Sequence, residues 1–428
     1  MAPNGYNREV GKAVTKVAMI VWNEFVNDAR VLKEAQTLAT SDYSVRVFAL
    51  HTPGKTSRTE ILQKNLDVCR VDRSPLWRWR KPKASRQPLT STPTLAPAPA
   101  KMTPSPAHVS ALRVVTRAWT HLVLLLKIVR FRPDIIHSHD VNTLPTAWLA
   151  SVITRAKLVY DAHEISTSRE GYRRLAKVVA QVEKFLIPRA FAVITTTETR
   201  AKYLARLYNI ERPVVLQNRP RYQACASSRR LHQELGIADD CPIVLYQGGI
   251  QSGRGLEKLV RCTARLKHAH VVLIGGGRLT QSLIDLRDSL GLQDRVHFIP
   301  TVALAELPKY TASADIAVQP IENTCFNHFS TDSNKLFEYI IAGIPSVATN
   351  FPEIRKIVNH YQVGLLAPAD NDDAFVDCLN RLIEDPTLRK RLAQNSKKAA
   401  KYLTWESQES LLLDIYKAAT SHAKPEAA

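Results

Sequence analysis

The hydrophobic pattern of this chain runs through one cycle twice. Short apolar runs rich in β-branched residues alternate with longer stretches of helical periodicity as far as Asn218. A polar, irregular segment from Arg219 to Arg230 follows, and then the alternation starts again. Lys16 to Trp22 (KVAMIVW) is a continuous apolar run, as expected of a strand covered on both faces. The helix that follows from about Asn27 sets Val31, Leu32, Ala35, Leu38 and Ala39 on one stripe. Further strands are predicted at 44–50, 66–71, 134–137, 157–160, 191–196 and 214–217. In the second cycle they fall at 242–247, 271–274, 295–299, 316–318, 346–348 and 363–366. Apolar strands separated by helices encode parallel sheets, so the expected fold class is α/β, with two tandem Rossmann-like doubly wound domains and a deep cleft between them. The predicted boundaries are 1–218 for the first domain, 219–405 for the second, and 406–428 for a C-terminal helix and tail that pack back on the first. Ligands of such sheets bind beyond the carboxyl ends of the strands, so chemistry is sought there.

Composition narrows the possibilities. The six cysteines include no C-x-x-C pair and have no histidine clustered beside them, which argues for free thiols in a reducing compartment and against a zinc site. The N-terminal stretch lacks a signal-peptide pattern. The apolar run from His121 to Val129 is broken by Lys127 and is far shorter than the ~20 residues that span a bilayer. A cytoplasmic protein is therefore expected. The net charge of +20 is concentrated: Arg70 to Arg132 carries 13 Lys/Arg against one acid, Asp72. Within it, 73–106 holds eight prolines and reads as a loop inserted in the first domain. Trp77 and Trp79 alternate there with Arg78, Arg80 and Lys81. The helix predicted from His108 to Arg130 adds Arg113, Arg117, Trp119, Lys127 and Arg130. Aromatics beside cations suit an anionic membrane surface, which would place the protein peripherally on the inner face of the cell membrane. No nucleic-acid-binding module accompanies the charge, so a nucleic-acid partner is not expected.

Several polar clusters stand at strand ends. Tyr246 to Gly255 (YQGGIQSGRG) ends a strand on Gly248 and Gly249 and opens a helix at Arg254. Close backbone approach, helix N–H groups and a forked cation together suit a pyrophosphate, or else form an ordinary strand-to-helix turn. Gly275, Gly276 and Gly277 follow another strand. Ser330 to Thr349 (STDSNKLFEYIIAGIPSVAT) places Lys335 in a first helical turn, capped by Ser333 or Asn334. Glu338 lies one turn on along the same face, fitted to accept from a diol or to pair with the lysine. In the first domain Asp161, His163 and Glu164 end one strand and His139 ends another. Asn27, Asp28 and Arg30 follow the first.

Together NDARVLKEA from Asn27, DIIHSHD from Asp134, YDAHE from Tyr160, GGIQSGRG from Gly248, SNKLFEYIIAGIP from Ser333 and VGLLAP from Val363 resemble glycosyltransferase family 4 over nearly the whole chain. The resemblance implies a GT-B fold and transfer of a sugar from a UDP-, GDP- or dTDP-sugar with retention, with no bound cofactor or metal. The acceptor would be a glycan or lipid-linked group, as in cell-surface polysaccharide or glycolipid synthesis. It assigns catalysis to His163, Arg254, Lys335 and Glu338. Donor binding falls to Gly248, Gly249, Gly275, Gly276, Ser330, Thr331 and Asn334, and the acceptor side to Asn27, Asp28, Arg30, His139, Asp161 and Glu164. In these terms Glu338 accepts the ribose hydroxyls, Arg254 stabilises the leaving diphosphate and His163 contacts the transferred sugar. Two departures stand out. Ser330 replaces the first carboxylate of the family's E-x7-E motif, and Gly249 stands where many members place a second phosphate-binding arginine. A sugar-nucleotide epimerase of the same architecture and a non-catalytic partner subunit are the other functions this pattern allows.

Overall fold

A computed structural model describes residues 14–75, 107–169, 175–224 and 226–421. Most of the proline-rich insert, with Trp77, Trp79 and their neighbouring cations, lies outside the described residues. The chain divides into two compact units. One comprises the described residues to His163, Ala180–Val193 and those from Leu413 on. The other comprises Glu164–Val179 and Ile194–Leu412.

Each run predicted as a strand forms one, and each sheet is doubly wound. The second sheet has the order β11-β10-β9-β12-β13-β14, from Val296–Ile299, His270–Ile274, Ile243–Gln247, Ile316–Gln319, Ser346–Thr349 and Gly364–Ala367. All its pairings are parallel. Its strands are apolar throughout because both faces are covered. Val244, Tyr246, Val271 and Leu273 enter one core cluster, whereas their alternate neighbours Ile243, Leu245, Val272 and Ile274 enter another. Each aliphatic side chain buried there contributes about 1.5–3 kcal/mol.

The first sheet has the order β3-β4-β2-β1-β5-β6-β7-β8. Its centre is β1 (Lys16–Ile20), flanked by β2 (Ser44–His51) and β5 (Ile135–His139), both parallel to it. Then come β6 (Lys157–Ala162), β7 (Ala192–Thr195) and β8 (Val214–Val215) on one side, and β4 (Leu66–Asp72) on the other. One strand was not predicted: β3, Thr59–Gln63, pairs antiparallel with β4 at the sheet edge. Its side chains are mostly exposed, so it carries no continuous apolar run.

In both sheets the strand order reverses beside the first strand, between β1 and β5 and between β9 and β12. Those switch points fix where chain ends gather above the sheet. The loops after β9 and β12 thus carry Gly248–Gly255 and the segment leading to Lys335. The loops after β1 and β5 carry Asn27, Asp28 and Asp140.

Candidate functional site

In the second unit, two cations converge on the glycine turn after β9. Lys335 lies in the first turn of α11 (Asn334–Ala342), and its ammonium sits 5.6 Å from the Tyr246 ring centroid. Gly248 makes this possible. At φ +123° it leaves no room for a side chain, because a Cβ there would stand 2.4 Å from Lys335 Cε. Gly275 serves the same turn, since a Cβ on it would stand 2.1 Å from the Gly248 carbonyl oxygen. Burial, with the Arg254 charge beside it, holds the Lys335 ammonium down at about 8 despite the opposing pull of Glu338. Neither Arg254 nor Lys335 has a carboxylate within ion-pair distance among the described residues. A cation so placed, with its charged form disfavoured, is poised for an anion.

Glu338 does not pair with Lys335. Its Oε2 accepts from Gln247 Nε2 at 2.6 Å, and Gln247 Oε1 accepts from Thr311 Oγ1 at 2.6 Å. Beside it opens a cavity of about 230 Å³, walled by Pro220, Leu304, Leu307, Pro308, Ile341 and Ala342, with Arg221, Gln223, Gln247, Thr311 and Glu338 as polar groups. Gln247 was not foreseen as part of the site. Its signal is a lone polar residue ending an otherwise apolar strand.

The turn before α11 corrects two expectations. Ser333 stands at the N-cap position, but its side chain makes no capping bond, and Asn334 is already helical; the residue sits at φ +43° instead. Ser330 is fully buried, and its hydroxyl accepts from Arg200 Nε at 3.1 Å and donates to the Phe326 carbonyl at 2.7 Å. Arg200 also donates to Thr196 Oγ1 and to the Asn327 carbonyl. The position of the missing carboxylate is thus built into a buried arginine network. Thr331 is partly exposed and Asn334, Gly249 and Gly276 are exposed.

In the first unit, the polar groups at the ends of β5 and β6 form one buried cluster. Arg30, on α1 (Ala29–Thr40), donates to Asp161 through Nε (2.8 Å) and Nη2 (3.0 Å). Asp161 also lies 3.0 Å from His163 Nε2 and 3.4 Å from His139 Nδ1. Burial opposes the charge on Asp161, but Arg30 and His163 outweigh it and hold the carboxyl well below its usual range. Burial likewise opposes a charged His163, yet Asp161 and Asp140 lift it to about 9. Glu34, one turn along α1 from Arg30, is fully buried and pushed up to about 7, chiefly by burial.

This geometry corrects the assignment of Arg30, His139 and Asp161 to the acceptor side. They are 3%, 3% and 0% exposed, so they lie beneath His163 and cannot meet an acceptor. His163 is partly exposed, Asn27 is exposed, and Asp28 caps α1 by accepting from Val31 N at 3.3 Å. Glu164 pairs with Arg169 at 2.8 Å.

Comparison with known proteins agrees with this picture. Residues 28–219 match the family described as glycosyl transferase 4-like domain, and residues 227–399 match glycosyl transferases group 1. A D-inositol 3-phosphate glycosyltransferase of Saccharomonospora viridis is 26% identical over 311 residues, covering 67% of this chain and 70% of that protein. Sucrose-phosphate synthase from Thermosynechococcus elongatus superposes with a TM-score of 0.76 at 18% identity, covering 96% of this chain and all of the other. HepE of Anabaena in complex with UDP-glucose superposes at 0.68 with 18% identity, covering 94% and 99% of the two chains. The chain belongs to the GT-B glycosyltransferases of family 4 type.

Proposed function

We propose that this transferase takes a sugar from a nucleoside-diphosphate sugar and passes it, with retention at the anomeric carbon, to a glycan or lipid-linked acceptor in cell-surface polysaccharide or glycolipid synthesis. The observation that carries the donor class is the pair Arg254 and Lys335, two cations that have no carboxylate partner among the described residues at the switch-point turn of the second sheet. The glycosidic bond breaks with its electron pair moving to the β-phosphate oxygen. Charge then grows where both cations can stabilise it, and such preorganised charge lowers the barrier of transfers like this one more than any other single effect. The acceptor hydroxyl forms the new bond on the same face, and its proton passes to the departing phosphate oxygen. Glu338 accepts the ribose hydroxyls, and the cavity beside it, with apolar walls and polar groups at its edge, takes the base. His163, a cation at neutral pH, donates to the transferred sugar. The relatives of known structure with UDP and UDP-glucose bound favour UDP as the nucleotide. A thermal-shift panel of UDP-, GDP- and dTDP-sugars tests this, since a bound ligand raises apparent stability by mass action. No shift with any of them, in a protein that is folded, contradicts the donor class.

The first unit supports an acceptor held at a membrane on the cytoplasmic side. Helices α2 (Ala107–Phe131) and α3 (Leu144–Thr154) and the part of α4 (Ala176–Leu186) from Ala180 on are linked there by the packing of α2 on α3 and of Trp148 on Phe185. They expose Leu122, Leu126, Val152, Ile153 and Phe185. Arg113, Arg117, Lys127, Arg130, Arg155, Lys184 and Arg189 are exposed on the same helices or just beyond their ends. Among the described residues the one acid on these helices, Glu183, is buried and accepts from the Tyr160 hydroxyl. Apolar side chains among cations with no exposed acid match an anionic lipid surface, at about 1 kcal/mol per cation near the headgroups. No described helix is long and apolar enough to cross a membrane. Co-sedimentation should rise steeply with the anionic fraction of the vesicles, and equal binding to neutral vesicles contradicts the proposal.

A further inference from the structure

Among the described residues, the cluster beneath His163 contains four buried polar atoms that receive no hydrogen bond: Glu34 Oε1 and Oε2, His137 Nε2 and His139 Nε2. Buried polar groups are almost always satisfied, and a group left over calls for a water, an ion or a role. These four are not scattered. Each imidazole Nε2 stands 3.9 Å from the same carboxylate oxygen, Glu34 Oε2, and the two rings are stacked at 4.2 Å.

From this convergence we infer that Glu34, His137 and His139 form a binding site for a borderline divalent transition metal, of which zinc is the simplest case. Three ligand atoms spaced this way lie roughly 2–2.5 Å from a common centre, close to zinc–nitrogen and zinc–oxygen bond lengths of about 2.0–2.2 Å. Together with Asp161, the ligand-bearing atoms of the cluster lie within 4.8 Å of one another. The donor set of two imidazoles and one carboxylate is the kind that zinc and its neighbours prefer over calcium or magnesium.

The surroundings are those of ligating histidines. Such a histidine holds its other ring nitrogen in a hydrogen bond that fixes the ring and points the lone pair at the metal. His137 Nδ1 is bonded to the Tyr416 hydroxyl at 2.8 Å, and His139 Nδ1 lies 3.4 Å from Asp161. In the tautomer with both Nδ1 protons so engaged, the two nitrogen lone pairs lie side by side next to a carboxylate with no donor between them. A cation resolves that conflict. Arg30 stands 3.1 Å from Glu34 Oε1, but its guanidinium is committed to Asp161 on two atoms and leaves Oε2 to the ion. The elements joined are α1, β5 and, through Tyr416, the C-terminal helix Glu409–Ser421. The ion's role is structural, and its existence does not depend on the donor assignment.

Metal content of the full chain decides the matter. Protein produced with zinc or cobalt in the medium and purified without chelator should carry about one metal per chain, and the cobalt form should show visible ligand-field bands. Glu34→Gln and His139→Ala should each reduce the metal to below about 0.1 per chain, while the nucleotide-induced thermal shift of the second unit persists. Should those variants not fold, the cobalt spectrum of the unaltered protein gives the answer alone. A wild-type chain with neither metal nor ligand-field bands overturns the inference and leaves a shared proton or a water between these groups. Metal retained at full occupancy in both folded variants overturns it as well.

Discussion

The two sheets present charge at their switch points in opposite ways. In the first unit Arg30, Asp161 and His163 satisfy one another within the protein, at 2.8 to 3.0 Å and largely out of solvent. In the second, Arg254 and Lys335 are brought to one turn and, among the described residues, given no carboxylate of their own. A paired cluster fixes geometry, since each charge holds its neighbour in place. An unpaired one stores electrostatic potential that only an incoming anion relieves. The first unit therefore positions and the second binds, and the variants below should separate the two.

The largest effect belongs to the paired side. Asp161→Asn removes the buried carboxylate that Arg30 and His163 both contact and leaves two cations facing a neutral amide, which should cost about 3–5 kcal/mol of stability. Chemical denaturation of the folded protein measures it, and a loss below about 1 kcal/mol would mean that the cluster is not the fixed structure described. On the unpaired side the protein should keep its stability and lose function. Arg254→Ala or Lys335→Ala should lower kcat by about 10²–10³, in line with removing one preorganised donor from a developing charge. Unchanged melting with that loss sharpens the contrast, whereas a loss of folding erases it.

Gly248→Ala probes the turn itself. Its Cβ would displace the Lys335 side chain, and the positive φ adds about 1–3 kcal/mol of strain. Nucleotide affinity should fall about tenfold, as expected for about 1.4 kcal/mol of lost interaction. The smallest effect is a pH dependence. Lys335 titrates near 8 in the free protein, and a bound diphosphate favours its charged form. Below that pH the ammonium is already present. Above it, binding must take up a proton, so affinity should weaken by up to about tenfold per pH unit as the pH rises from about 8 to about 10. Calorimetry in buffers of different ionisation enthalpy reads the proton uptake directly, and a pH-independent affinity would remove Lys335 from the diphosphate site.

The sequence was most legible where one physical rule dominated. Strands covered on both faces must be apolar at every position, so Lys16–Ile20 and Ile243–Gln247 stand out as runs. The exposed edge strand Thr59–Gln63 obeys no such rule and was missed. Lys335 and Glu338 were legible as a spacing on a helix, but their partners were not. Only the folded turn shows that Glu338 accepts from Gln247 and that Lys335 lies over Gly248. Asp161 and Arg30 illustrate the converse. Polar residues after a strand resemble ligand contacts until burial shows that they face each other. Glu34 carried no signal, because a glutamate four residues after an arginine reads as an ordinary surface pair on a helix.

The central claim is that Arg254 and Lys335 hold the donor's diphosphate. Titration of the folded protein with UDP, GDP and dTDP, repeated with the Arg254→Ala/Lys335→Ala double variant, tests it most directly. The account predicts saturable binding of at least one nucleotide to the unaltered chain and a loss of at least about 100-fold, or about 2.7 kcal/mol, in the double variant. Binding of equal strength in a double variant that melts where the parent does would contradict it.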